Sequence, residues 1–388
     1  MTKSFIDMMK LLSLGARGEK IENKADLDIP AIKKLARSQG IWPTVYSALS
    51  EITPEVFQMA ALKTIRQTAV YKLVKELKEE KNITCCFLKG EILDDMYHDP
   101  GIRMTADSDL LIDPKHEREV IKLLKSKGYL IHERQKTSNE LQTVHPKIGL
   151  VEFHTDLDNK QMREVWFNNK FREPEKFRIH TSKSDIEYLT LSETDGLIFV
   201  TLHFIKHLIS GVASVKMMMD VLMYIETYKE TVNWGKFDGL MAELKYEKLI
   251  MVLKFIGTKY LGFRFQTEAL DDLATKLLDD LEFNRQTKEN LEFYDKYTES
   301  RYKIFGNGDY KGYKLKLTLI SFKKIFFPSR VTMCVKYPYL IKKPALLPYA
   351  WCERAVKSVS KRKSRSTEPK NPNNKDSHIE LIKDLDMM

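Results

Sequence analysis

Two aspartates one residue apart, Asp107 and Asp109, stand at the head of the apolar run ADSDLLID. Alternation along such a run predicts a β-strand, and residues i and i+2 of a strand share a face about 6.6 Å apart. That spacing lets both carboxylates converge on hard cations. Mg²⁺ takes a few oxygen ligands from protein and leaves the rest to phosphate and water. Two such ions about 4 Å apart can activate an attacking oxygen and neutralise a departing pyrophosphate, which is what transfer of a nucleotidyl group requires.

An aspartate pair alone is common in solvated turns, so its surroundings decide. Glu152 lies in GLVEFH, where alternation buries Val151 and Phe153 and turns Glu152 to the opposite face. A strand there beside the aspartate strand supplies a third carboxylate, and Asp107, Asp109 and Glu152 are the predicted catalytic and metal-holding set. His154, two residues on, shares the face of Glu152 and can orient that carboxylate or touch substrate. Upstream, Lys89 and Gly90 end the apolar run ITCCFLKG. A glycine there lets backbone approach phosphate, the following helix presents free amides, and Lys89 can neutralise a triphosphate as a point charge.

The elements that position these groups follow in order. Residues 4–81 carry apolar positions at helical spacing, including Val56, Met59, Leu62, Ile65, Val70, Leu73 and Leu77, with Thr53 before Pro54 as a helix start. After the strand ITCCFLKG come a short helix in ILDDMYHD, a turn at DPG, the aspartate strand, and a helix over 115–127 ending at Gly128. YLIHER, ELQTVH and GLVEFHTDL read as three further strands. From Ser192 the period is helical again. The fold class is α+β: a mixed sheet with flanking helices, plus a helical domain.

The ordered set LKGEILDDMYHDPGIRMTADSDLLID followed by GLVEFHTDL resembles the uncharacterised bacterial nucleotidyltransferase family within the DNA polymerase β-like superfamily. The superfamily pattern is a glycine turn, a carboxylate pair on a strand and a third acid on a later strand. The turn in relatives is usually Gly-Ser or Gly-Gly, whereas here Glu91 follows Lys89 and Gly90, removing a small hydroxyl and adding a negative charge. The family itself commonly carries Lys-Gly at this point, and its Arg-x-x-x-Asp-x-Asp start matches Arg103, Asp107 and Asp109. The resemblance implies a nucleotidyltransferase-fold core, two Mg²⁺ ions, a nucleoside triphosphate such as ATP bound with help from Lys89, Gly90, Arg103 and His154, and an acceptor it does not fix. Acceptors across the superfamily include nucleic acids, antibiotics, sugars and proteins, so a small molecule, a protein or RNA all fit. The other reading is a nucleotide-binding or nucleic-acid-binding module of the same fold without turnover.

The predicted division is an N-terminal helical segment (1–81), the nucleotidyltransferase core (82–190), a helical domain (191–300), a basic aromatic arm (301–359) and a disordered tail (360–388). His203 and His207 are spaced to share a helix face, and with Asp220 they form a possible metal set, though packing between domains suits them better. The arm interleaves Tyr337, Tyr339 and Trp351 with lysines and prolines; packing on the core is favoured over binding nucleic acid. The tail, with its SKRKSRS run, lacks the apolar periodicity needed for a core and is expected to be dispensable.

A net charge of +10, from 64 Lys and Arg against 54 Asp and Glu, favours anionic partners. The four cysteines show no metal-ligand spacing and read as buried thiols of a reducing compartment, without disulfides. No segment has the length and apolarity of a transmembrane helix or a signal peptide, so the expected location is cytoplasmic.

Overall fold

The computed structural model describes residues 1–51, 53–105, 107–131, 140–145, 148–155, 177–283, 330, 333–334, 337–341, 343–354 and 374–387. Its centre is a seven-stranded mixed sheet in the order β3-β4-β5-β2-β1-β7-β6. The strands are β1 (Cys85–Lys89), β2 (Asp107–Ile112), β3 (Leu130–Ile131), β4 (Glu140–His145), β5 (Gly149–His154), β6 (Phe177–Thr181) and β7 (Glu187–Leu191). β2 runs antiparallel to β1 and parallel to β5, while β7 joins the other side of β1 in parallel.

Four helices precede the sheet: α1 (Lys3–Ala16), α2 (Ile29–Ser38), α3 (Trp42–Ala48) and α4 (Pro54–Lys81). Thr53 caps α4 through the Val56 amide, Pro54 fills a first-turn position that has no amide to satisfy, and Asn82 closes the helix in the left-handed region at φ 53°. The one-turn helix α5 (Glu91–Asp94) and α6 (Glu117–Ser126) lie between the first three strands. After β7, Ser192 caps α7 (Glu193–Ile209), followed by α8 (Val215–Tyr228), α9 (Trp234–Glu243), α10 (Glu247–Leu261) and α11 (Asp271–Phe283).

Strand alternation divides the interior into two layers. Phe87, Leu110, Ile112, Val151 and Phe153 point to one face and pack with Val70, Leu73 and Leu77 of α4 and Val120 and Leu124 of α6. Cys86, Leu88 and Leu191 point to the other, where they join one large core built from α1 to α3 and α7 to α11. The N-terminal helices and the later helices therefore share a core across the intervening sheet sequence.

Several expectations change. The hairpin of β6 and β7 lies in a stretch where no strand was expected, and it extends the sheet beyond β1. On α4, Val70, Leu73 and Leu77 are buried, yet Leu62 and Ile65 are 67% and 58% exposed, because the helix turns that flank toward solvent. Cys352 is exposed, while Cys85, Cys86 and Cys334 are buried.

The largest correction concerns the tail. Residues Asn374–Asp384 form a C-terminal helix against α11, and Leu381, Ile382, Leu385 and Met387 are fully buried in the main core. His378 bonds to Asp280 at 2.9 Å, and Lys276 pairs with Glu380 and Asp384. Four apolar side chains within seven residues are enough to anchor one short helix, although the polar sequence before them hides that signal. Residues 355–373, including SKRKSRS, lie outside the described residues, as do 284–300 of the expected helical domain and 301–329 of the expected arm. The arm's described part packs: Met333, Cys334, Tyr337, Leu340 and Ala350 form a small core with Leu130 of β3, Tyr339 and Trp351.

Candidate active site

The site forms on the sheet face covered by α7, where one row of residues crosses four adjacent strands. Lys89 of β1 is paired with Asp109 of β2, Asp109 with Glu152 of β5, and Glu152 with Gln142 of β4. Residues paired in register point to the same face, so sheet geometry alone gathers these side chains. Asp107 lies two residues before Asp109 on the same face and is half-buried.

Lys89 joins the row through a bulge. Cys85 to Phe87 pair with Ile112 to Leu110, and unbroken antiparallel continuation sets Lys89 opposite Ser108, on the α4 face; a shift between Phe87 and Lys89 sets it opposite Asp109. One extra residue in a strand re-aims the side chain that follows.

Asp109 is fully buried and contacted on both oxygens. His154 Nε2 donates to Oδ1 at 3.0 Å, and Lys89 Nζ stands 3.4 Å from Oδ2, which makes no well-formed hydrogen bond. Burial works against the charged carboxylate, but Lys89 and His154 outweigh it and hold Asp109 below its ordinary range. For His154 burial opposes the imidazolium, and the Asp109 hydrogen bond and charge overcome it, so its pKa rises. Glu152 accepts a hydrogen bond from Gln142 Nε2 at 2.9 Å, and burial followed by the charge of Asp109 pushes it up to about 7.

Asp109, Glu152 and His154 each offer a ligand atom, and the three atoms lie within 4.8 Å of one another. Two carboxylates and an imidazole, with one buried carboxylate oxygen lacking a well-formed bond, suit a divalent cation. Asp107 is not in that close group. The structure thus brings His154 in beside the acids and leaves Asp107 at the margin of the cluster, on the strand that carries Asp109.

The turn after Lys89 requires its glycine. Gly90 has φ 77° and ψ −89°, while a Cβ there meets nothing closer than 3.4 Å, so the constraint is backbone conformation rather than space. α5 after it is a single turn, shorter than the anion-cradling helix expected at this point. Glu91, read from sequence as an added negative charge beside the turn, is buried on the α4 face, where Ser108 Oγ donates to it at 2.6 Å. Burial pushes Glu91 up to about 8, which keeps it neutral at pH 7 and removes the charge conflict.

Arg103 takes a different place from the one expected. Its guanidinium is buried, bonding Asp220 twice at 2.8 Å, Asp94 at 2.7 Å and Thr105 at 2.8 Å, with the Gly90 carbonyl 3.4 Å away. Every arm of the fork is engaged, so Arg103 ties the glycine turn to α8 instead of facing the cleft. Asp220 is accordingly committed to Arg103 and to Tyr97, which donates at 3.0 Å, and does not join the two histidines as a metal set. His203 and His207 stack edge to face at 4.5 Å, and His203 Nε2 lies 3.4 Å from Lys89 Nζ. Burial holds His203 well below its ordinary range and His207 down at about 4, so both rings are neutral.

Residues 25–253, more than half of the chain, match the sequence pattern of the family described as uncharacterised nucleotidyltransferase. The chain belongs to that family. The match runs from before α2 into α10, so the family unit includes the helical layer that carries His203 and Asp220 as well as the acidic row. The small core around Tyr337 and the C-terminal helix lie beyond it. A search of the curated proteins finds no match. No helix among the described residues is long and apolar enough to cross a membrane.

Sequence reasoning missed Gln142 and the partnership of Lys89 with His203. The first was readable in principle: antiparallel pairing of the neighbouring strands β4 and β5 sets Gln142 opposite Glu152. The second depends on the bulge in β1 and on how α7 crosses the sheet, neither of which has a local signature.

Proposed function

We propose that this protein is a Mg²⁺-dependent nucleotidyltransferase that moves a nucleoside monophosphate from a nucleoside triphosphate to an acceptor hydroxyl. In that reaction the acceptor oxygen bonds to the α-phosphorus, the bond from the α-phosphorus to the bridging oxygen breaks, pyrophosphate leaves and the acceptor proton is released. The observation that carries the reading is the acidic row: Asp109 and Glu152 side by side on parallel strands, with His154 against Asp109 and Lys89 opposite it.

Asp109, Glu152 and Asp107 are the residues to hold the two ions, with His154 either orienting Asp109 or joining as a ligand. Bound there, Mg²⁺ supplies activation of the acceptor oxygen and neutralisation of the departing pyrophosphate. The chain's own groups do the rest. Gln142 steers Glu152 through the 2.9 Å hydrogen bond. Lys89 neutralises the triphosphate, and the glycine at 90 lets backbone approach it. Arg103 is a positioning residue that fixes that turn against α8.

The test is a screen of the four nucleoside triphosphates, each labelled at the α-phosphate, with Mg²⁺ and fractionated cell extract. Label retained on one class of product identifies the acceptor as small molecule, protein or RNA. No label on any product at any metal concentration rejects the reading.

A further inference from the structure

Lys89 is placed where it serves two masters. Its ammonium is 3.4 Å from Asp109 Oδ2, the buried oxygen that makes no well-formed hydrogen bond, and the other oxygen is held by His154. While His154 holds Oδ1, the oxygen left for a divalent ion is Oδ2. An ammonium and a metal cannot both sit against one carboxylate oxygen, since like charges a few ångströms apart in a buried site repel strongly. Lys89 Nζ also lies 3.4 Å from Nε2 of His203, a neutral ring able to accept a hydrogen bond from an ammonium that leaves Asp109.

We propose that Lys89 is an exchangeable cation, holding Asp109 until a divalent metal takes that carboxylate and then turning toward His203 and α7, where its ammonium receives the triphosphate. This rests on the metal-site reading above and adds to it an order of events. Metal entry costs the Lys89 ion pair and, by freeing the lysine, prepares the phosphate site. The bulge in β1 is what makes the exchange possible, because a regular strand sets Lys89 opposite Ser108 on the other face.

The experiment titrates Mn²⁺ into the full-length protein and reads bound ion by electron paramagnetic resonance, without nucleotide. Lys89→Met keeps the length of the side chain and removes the competitor, so Mn²⁺ should bind about tenfold tighter or more, while inorganic tripolyphosphate should bind at least about tenfold more weakly. Lys206→Met, which removes a charge from α7 outside the row, should change Mn²⁺ affinity less than about threefold. Equal tightening in both variants, or no tightening in Lys89→Met, overturns the exchange while leaving the metal site standing. Wild-type protein that binds no Mn²⁺ overturns the metal site itself and the exchange with it. Should Lys89→Met not fold, reductive methylation of wild-type protein read by mass spectrometry gives the same answer: Mg²⁺ should speed labelling of Lys89, and unchanged or slower labelling contradicts the proposal.

Discussion

Lys89 and Asp109 face each other across β1 and β2 only because β1 carries an extra residue between Phe87 and Lys89. The pairing shields the most buried carboxylate of the row and sets the stage for its replacement by Asn. Asp109→Asn removes the charge that Lys89 and His154 both contact, so it should lower stability by about 1–3 kcal/mol and reduce transfer by at least about a hundredfold. Asp107→Asn, at a half-buried position on the same strand, should cost a comparable amount of transfer with a stability change within about 0.5 kcal/mol. Urea denaturation and turnover of both variants check this, and full activity in either one contradicts its assigned role.

Glu91 makes a stability prediction with a definite sign. Its carboxyl titrates near 4.5 ordinarily and near 8 in the folded protein, so the folded state binds the extra proton between those values. Stability from this group is therefore present at low pH and declines as pH rises from about 4.5 toward 8. Glu91→Gln stays neutral throughout and should lack that decline. The difference between the two proteins should grow by about 2–4 kcal/mol over the window, measured by denaturation at pH 5, 6.5 and 8. Parallel curves would show that Glu91 is already ionised in the fold.

Arg103 and Asp220 form a bidentate pair between the glycine turn and α8. Asp220→Asn should destabilise the protein by about 3–5 kcal/mol, because it leaves a buried guanidinium under-compensated. Arg103→Lys should fare nearly as badly, since an ammonium cannot bridge Asp94, Thr105 and Asp220 at once. Thermal unfolding of the two variants and their double mutant tests the coupling. Effects that simply add would mean the pair does not act as a unit.

The C-terminal helix turns an expected dispensable tail into a part of the core. Leu381→Ala should cost about 2–5 kcal/mol, and truncation after residue 373 should lower the melting temperature, because both uncover apolar surface of α11 such as Leu277 and Leu281. A truncated chain with unchanged melting temperature would contradict the packing of this helix.

What the sequence disclosed follows from the range over which each signal acts. The strand at CCFLK, the aspartate strand, the strand carrying Glu152 and the helical period from Ser192 all rest on apolar patterns within a few residues, and strands and a helix appear at those places. The shared face of Asp109 and Glu152 was readable because both belong to amphipathic strands. The burial of Glu91 was not, since it depends on Ser108 reaching it from a strand 17 positions away. Arg103 was misread for a similar reason: its partner Asp220 lies 117 positions on, and no local pattern reports a buried clamp. The exposed flank of α4 at Leu62 and Ile65 shows the reverse failure, in which helical periodicity marks apolar residues that the fold leaves in solvent.

The central claim is that the acidic row directs attack to the α-phosphorus. With the acceptor class found, the same triphosphate is supplied labelled either at the α-phosphate or at the γ-phosphate, to wild-type protein and to Asp109→Asn and Glu152→Gln. The account predicts α-label on the acceptor, γ-label released as pyrophosphate, a requirement for Mg²⁺, and loss of both signals in the two variants. Transfer of γ-label to the acceptor, or α-label transfer that survives in both variants, would contradict it.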